Sequence, residues 1–439
     1  MARTTRITYG QCLVLASPKP AYQSNEDNLT GLKRVQAANV DFAFSRQRYK
    51  QIGSANYVGD VNLTNPEITL GLNYFYSNGT NEVMLGLNVD GASAAVLSGV
   101  RKPNQSNNFY VLYGSGINNQ PLLETDDTNF KDNFNVISLG NCFLNSYSIQ
   151  GALGSLVSVD ASIQADNIEL QPYTTGHSIP SLNPSTNKPD EIHAYTIKKS
   201  FFQNTTNQDG LITSAFAPSG IKLTLPTNNN VPGLELTGSA GSAFINSFAL
   251  SFDIDRVALY GFGSIYPYGR RALLPVLGQL QFSATASEFQ SGDLNQLVRL
   301  DENREVSMDF TIDLIHSGTT GLQIGINNAK FDAQSFRESI NDFGSIDCNL
   351  SFSVSDTTGL RFSTPPLILS HPVDVSGPSG PLTVVATGMT PLTYKWYTSD
   401  GSGPVATTQT YSPDDGDYYC VINNDLGSAT SNTATVNTL

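Results

Sequence analysis

Apolar and polar residues alternate with a period of two over much of this chain. That period puts every second side chain on one face of an extended strand. Ile68, Leu70, Leu72, Tyr74 and Tyr76 alternate with mostly small or polar neighbours. Val157, Val159, Ala161, Ile163 and Ala165 do the same, as do Phe248, Leu250, Phe252 and Ile254. Val306, Met308, Phe310, Ile312 and Leu314 give the clearest run, and Ile346, Cys348, Leu350, Phe352 and Val354 complete the set. The three- and four-residue spacing of a helix is scarce. Ser291–Arg299 is one short candidate, with Ser291 or Asp293 as its N-cap. Asp332–Ile340 is another, and it reads equally well as irregular. The expected fold class is mainly β.

Composition narrows what such strands serve. The 439 residues include 24 Lys and Arg against 38 Asp and Glu, a net charge of −14. Charged residues make up only 14%, against roughly 25% in an average soluble domain. Phosphate binding needs clustered cations, so a surface that wraps nucleic acid or rests on an anionic membrane is disfavoured. A weakly charged, polar chain suits an assembly whose faces meet other protein. The length allows two to four domains at roughly 100–200 residues each. No window approaches the roughly 20 apolar residues of a membrane span, and Met1–Gly10 has no apolar run for a secretory signal. Folding in a cytoplasm is therefore expected. Cys12, Cys142, Cys348 and Cys420 stand far apart with no C-x-x-C pair, which argues against a zinc site and a disulfide framework. Cys348 falls on the apolar face of its strand and reads as a packed core thiol.

Two blocks of sequence recur in the same order. Val35–Ser54 laid over Ile245–Ser264 matches Phe42 with Phe252, Arg46 with Arg256 and Gly53 with Gly263. Asn141–Ile163 laid over Asn328–Leu350, at a somewhat smaller offset, matches Asn141 with Asn328, Ser148 with Ser335 and Asp160 with Asp347. A tandem duplication with extra loop in its first copy accounts for both, since loop growth costs little; two unrelated strand-rich domains are the alternative. Tyr173–Pro189 holds Pro180, Pro184 and Pro189 with little periodicity, and reads as a linker or a long surface loop.

From about Pro365 the sequence changes character. Pro365, Pro366, Pro372, Pro378 and Pro381 mark a stiff junction. Beyond it stand Trp396 and the run Asp414, Gly416, Tyr418, Cys420 in a D-x-G-x-Y-x-C pattern. This C-terminal stretch resembles an immunoglobulin-like domain. The resemblance implies that Trp396 is the core tryptophan and that Tyr418 forms the tyrosine corner. The partner cysteine belongs near Val384 and is absent, so Cys420 is expected to be a free core thiol. A fibronectin-like sandwich is the alternative.

No constellation for catalysis, cofactor or metal binding stands out, and an enzyme is not expected. His177, His193, His316 and His371 are scattered and match no zinc or triad pattern. Gly261-Phe262-Gly263 marks a strand bend or bulge rather than a phosphate loop. Glu124, Asp126 and Asp127 read as a solvated acidic loop, because no further ligands stand at calcium-loop spacing. Tyr266–Arg271 is the compact basic–aromatic patch, best read as a loop whose arginines pair with an acidic neighbouring subunit.

The layout of two strand-rich copies followed by an immunoglobulin-like module resembles the major tail tube protein of long-tailed bacteriophages. The stretches that carry this are Asp60–Val89, Gly140–Ile149 and the counterpart of the latter around Asn328. The resemblance implies two tail-tube-like β-sandwich domains with short flanking helices, at 1–190 (with a linker from about 173) and 191–364, then the immunoglobulin-like domain at 365–439. It implies trimeric, pseudo-hexameric rings stacked into a tube, assembled in the host cytoplasm and carried on the virion. Its expected partners are further copies of the chain, a tape measure protein and a tail terminator. DNA passes through the lumen without specific binding, and no membrane is involved. Another virion role, such as capsid decoration or a tail-tip component, and a cell-surface adhesin are the alternatives.

Overall fold

The computed structural model describes residues 12–18, 29–62, 65–91, 95–99, 107–114, 134–172, 177–178, 192–193, 216–225, 234, 242–262, 266–286, 307–316, 318–338, 344–355, 359–376, 380–401 and 403–437. The period-two stretches form strands, paired almost throughout in antiparallel ladders. In Glu67–Phe75 and Ser158–Ala165 the apolar positions are buried and their neighbours are not. The fold is nearly all β. Among the described residues helix is confined mainly to α1 (Thr80–Met84), too short to leave a periodic signal in sequence.

Apart from the short strands Thr30–Gly31, His177–Ser178, Ile192–His193 and Ser242–Phe244, the described strands before residue 364 fall into two sets of nine. The first comprises β1 (Cys12–Pro18), β2 (Val35–Ala43), β3 (Arg46–Tyr49), β4 (Gly59–Asn62), β5 (Glu67–Phe75), β6 (Asn107–Gly114), β7 (Phe134–Ala152), β8 (Ser158–Ala165) and β9 (Asn167–Pro172). The second comprises β10 (Gly220–Thr224), β11 (Ser247–Asp253), β12 (Arg256–Tyr260), β13 (Pro267–Ala272), β14 (Val276–Thr285), β15 (Met308–His316), β16 (Thr319–Arg337), β17 (Ser345–Val354) and β18 (Leu360–Ser363). Within the first set β1 pairs β6, β6 pairs β7, and β7 pairs both β8 and β9; β8 pairs β5, β5 pairs β2, and β3 pairs β4. Each pairing recurs in the second set with nine added to both labels.

The likeness reaches single atoms. β7 and β16 each run 19 residues and each crosses from one sheet of a sandwich to the other. Both change direction at an asparagine with positive φ, Asn141 at 52° and Asn328 at 56°. Asparagine tolerates the left-handed region better than most residues. A side chain on the adjoining strand fixes each bend: the Asn141 amide donates to Asn108 Oδ1 at 3.2 Å, and the Asn328 amide donates to Asp309 Oδ1 at 2.8 Å. Register shifts follow at Leu144/Ser146 and Phe331/Ala333, at the same offset as the two asparagines.

The segment 332–340, weighed above as helix or irregular, belongs to β16 as far as Arg337 and pairs with β17 from Lys330↔Ser351 to Arg337↔Ser345. The candidate helix at Ser291–Arg299 lies outside the described residues. His177–Ser178 of the proline-rich segment pairs with Ile192–His193 just beyond it.

One apolar core spans both sets, and Tyr147 of β7 stacks on Phe252 of β11 at 5.5 Å between ring centroids. Glu82 of α1 is buried in this core, where the hydroxyls of Tyr74 (2.8 Å) and Tyr147 (3.2 Å) donate to its carboxylate. Burial pushes the Glu82 carboxyl above its usual 4.5, and the tyrosine hydrogen bonds oppose this in part. Between the unfolded and the folded pKa the native state therefore holds the extra proton, and stability falls as pH rises through that window. Replacing Glu82 with Gln removes this contribution. Denaturant titrations from pH 4 to 8 should give a flatter profile for the variant than for the parent, and parallel profiles would refute the assignment.

The C-terminal residues build a separate core around Trp396, Tyr418, Cys420 and Val384. Trp396 lies opposite Cys420 on neighbouring strands, and its Nε1 donates to the Thr408 carbonyl at 2.8 Å. Val384, at the place of the missing cysteine partner, fills the core as an aliphatic side chain. The Tyr418 ring packs edge-on against Tyr411 and over Gly416. This module is tied to the strands that precede it. The Met389 amide donates to the Thr364 carbonyl, the Thr390 amide to that of Asp90, and Asn424 Nδ2 donates to both Thr364 and Met389 carbonyls at 3.0 Å.

Candidate functional site

No group of His, Cys, Asp or Glu among the described residues could hold a metal ion. His316 Nδ1 contacts the Ala217 carbonyl at 2.7 Å, and His371 Nδ1 accepts from the Asn432 amide at 3.0 Å. Cys142, Cys348 and Cys420 are buried free thiols. Burial pushes Cys348 up to about 12 and Cys420 to about 11, so neither is a ready thiolate. Glu124–Asp127 lies outside the described residues. The features with functional geometry are a sheet, its edges and two arms.

The sheet is continuous across both sets. In order it runs β2, β5, β8, the C-terminal half of β7, β11, β14, β17 and the C-terminal half of β16. The first set joins the second through β7 and β11, in register from Ala152↔Ser247 to Ser146↔Asp253. The two outer edges are thus β2 and the end of β16. These are the counterparts of β11 and β7, the two strands that already pair at the centre.

Exposure follows from that difference. Phe252 at the central joint is 2% exposed, whereas its counterpart Phe42 on the free edge is 58% exposed. Ile149 is 0% exposed and its counterpart Phe336 is 42% exposed. Ile254 is buried, while its counterpart Phe44 is exposed and leans edge-on against Phe42. A long apolar edge is a liability in a soluble chain, because its unpaired amides and carbonyls template association.

One face of the sheet packs on the core. The other is lined by small polar residues such as Ser148, Ser162, Ser251, Gln281 and Asn349. Its charges are mainly acidic: Asp41, Glu67, Asp160, Asp253, Asp332 and Asp347 against Lys330 and Arg337. Arg337 pairs with Asp347 at 3.3 Å. Part of this face is concave, between Gln150, Ser247, Gln281 and Asn349.

Each set also carries an arm, the hairpins β3–β4 and β12–β13, which pair with no strand of the main sheet. Their tips fully expose Ile52 and Phe262, which are counterparts in the two blocks. The second arm lies on the first set of strands. Arg256 Nε donates to the Leu144 carbonyl at 3.0 Å with its guanidinium over the Phe143 ring, and the Ile254 amide donates to the Asn145 carbonyl. Arg270 Nε pairs with the fully buried Asp166 at 2.7 Å. The Tyr266–Arg271 patch thus places an arginine on an acid of the same chain, not of a neighbour. The two partners are remote in sequence and left no local signal. The first arm has no such platform: every residue from Asp41 to Val58 is exposed.

No protein family matches the chain, and no curated protein matches it in sequence. Among solved structures it is similar over 33% of its length to 95% of a chain from the virion of a native gene transfer agent particle, at 11% identity and a TM-score of 0.21. It is similar over 37% of its length to 99% of a chain from the anti-feeding prophage cap, a tube-terminating cap, at 13% identity and 0.25. Tandem Ig repeats of Dlar are matched over 28% of this chain and 90% of that one, at 12% identity and 0.15.

Proposed function

We propose that this chain is a self-assembling structural subunit of a phage virion, the tail tube, and that it is a tandem duplication with an appended immunoglobulin-like module. The observation that carries the reading is the relation between the joint and the edges. The chain pairs β7 with β11 internally, and the outer sides of their counterparts β16 and β2 form the two opposite edges of the sheet among the described residues. A second copy can offer its β2 to the first copy's β16 and repeat the internal joint. Such a contact is head-to-tail and closes into a ring when the rotation allows. Three chains would place six units around the axis, with the polar sheet face lining the lumen. Its excess of carboxylates suits DNA in transit, since like charge prevents the counterion release that holds DNA on basic surfaces. Rings stack into the tube, and a tape measure protein and a tail terminator set its length and its end.

Negative-stain microscopy of the purified chain tests this, with rings or tubes as the expected result. A chain that stays monomeric in sedimentation at high concentration would sink the proposal. The immunoglobulin-like module hangs on a few hydrogen bonds at Thr364, so a chain ending at Thr364 should assemble as the full chain does. Loss of assembly in a folded truncation would make the module a structural part of the ring.

A further inference from the structure

The internal joint is more than a pair of strands, because an arm crosses it. Arg256 of the second arm reaches over the joint and caps the Leu144 carbonyl at the register shift of β7. The offsets that relate the two sets transfer the arginine and its backbone targets. Arg256 becomes Arg46, as Phe252 becomes Phe42. Leu144 becomes Phe331, as Asn141 becomes Asn328, and it stands at the matching register shift of β16. The amide–carbonyl pair Ile254–Asn145 becomes Phe44–Asp332. In the isolated chain Arg46 is exposed, 3.9 Å from Asp60 and beside the Phe44 ring.

We infer that the first arm is a strap that clasps the next copy of the chain, with Arg46 donating to the Phe331 carbonyl of that copy. The inference rests on the edge-to-edge reading above and adds a residue to it. The target presents a carboxylate and a lysine where the internal joint is neutral. Asp332 stands where the internal joint has the neutral Asn145, so the arm of the next copy meets a carboxylate. Lys330 replaces Phe143, so the ring under the guanidinium comes from Phe44 of the same arm instead. One internal element has no like-for-like copy. Asp60 occupies the place of Arg270, so the buried ion pair with Asp166 is a property of the internal joint. The strap between chains therefore depends more heavily on its single arginine than the internal one does.

The test is the association constant of the full chain, measured by sedimentation, for Arg46→Ala and, as a control on the same arm, Arg48→Ala. The counterpart of Arg48 is Ala258, which makes no such contact. Arg46→Ala should weaken association roughly 10- to 100-fold, the range for one charge-assisted hydrogen bond, with an unchanged melting temperature. Arg48→Ala should match the parent. Arg256→Ala should lower the melting temperature instead, since its contact lies inside the chain. Equal association of Arg46→Ala and parent would overturn the strap and leave the edge pairing standing. A parent chain that does not associate at all would overturn the edge pairing as well.

Discussion

A chain carrying Asp41→Cys and Ser335→Cys in a Cys12→Ser background should form a ladder of covalent oligomers on mild oxidation. In the proposed joint the offsets that relate the two sets set the register between copies. They carry Ser251↔Ser148 of the internal joint onto Asp41↔Ser335, and Leu250↔Ile149 onto Val40↔Phe336. Asp41 and Ser335 then lie opposite each other on the same polar face, at the spacing that a disulfide bridges. Within one chain they sit on opposite edges of an eight-stranded path, so a link between them joins two molecules. The buried thiols at 142, 348 and 420 stay silent. Moving the second cysteine to Gln334 turns it to the other face, and that pair should not link. A ladder that ends at a trimer, with no larger species under denaturing conditions, is the expected pattern for a closed ring of three. Equal linking by the Gln334 pair would refute the register.

The second large effect is expected from Phe42→Asp. In the free chain Phe42 is exposed, so the substitution removes little from the monomer and the melting temperature should hold. In the proposed joint between copies Phe42 would take the buried place of Phe252. Loss of a buried phenylalanine costs about 1.5–3 kcal/mol, and an unpaired buried carboxylate adds several more. At about 1.4 kcal/mol per decade, association should fall by more than ~100-fold, with rings and tubes absent by microscopy. The companion variant Leu250→Asp strikes the same joint inside the chain and should destabilise the monomer itself. If Phe42→Asp assembles like the parent, the β2 edge is not the contact.

How much of this was legible in the sequence depends on range. Alternation marks which residues share a face, so β5, β8, β11, β15 and β17 could be read directly. It does not name a strand's neighbour, so nothing local showed that β7 would pair with β11. The end of β16 reads as helix or irregular for a physical reason. It is an edge, with Asp332, Gln334, Ser335 and Arg337 among few apolar residues, and the two-residue signal is diluted there. Asn141 and Asn328 align when the two blocks are laid over each other, but only φ reveals why an asparagine is useful at both places. Arg270 is visible in sequence as a cation, yet its partner there is misjudged, because Asp166 is remote along the chain. Phe42 and Phe44 look like core residues by pattern. Their exposure follows from their being the copies that have no partner within the chain.

The bends at Asn141 and Asn328 have a mechanical consequence. β7 and β16 each pass unbroken from one sheet layer to the other, so the two layers of a unit are joined by a single folded ribbon. A pull or twist applied to one layer is transmitted through peptide bonds to the other, and the layers cannot slide past each other without straightening a bend held from the adjoining strand. The compliance of an assembly built this way lies in its seams, where hydrogen bonds and side-chain contacts, not a folded strand, connect one ribbon to the next.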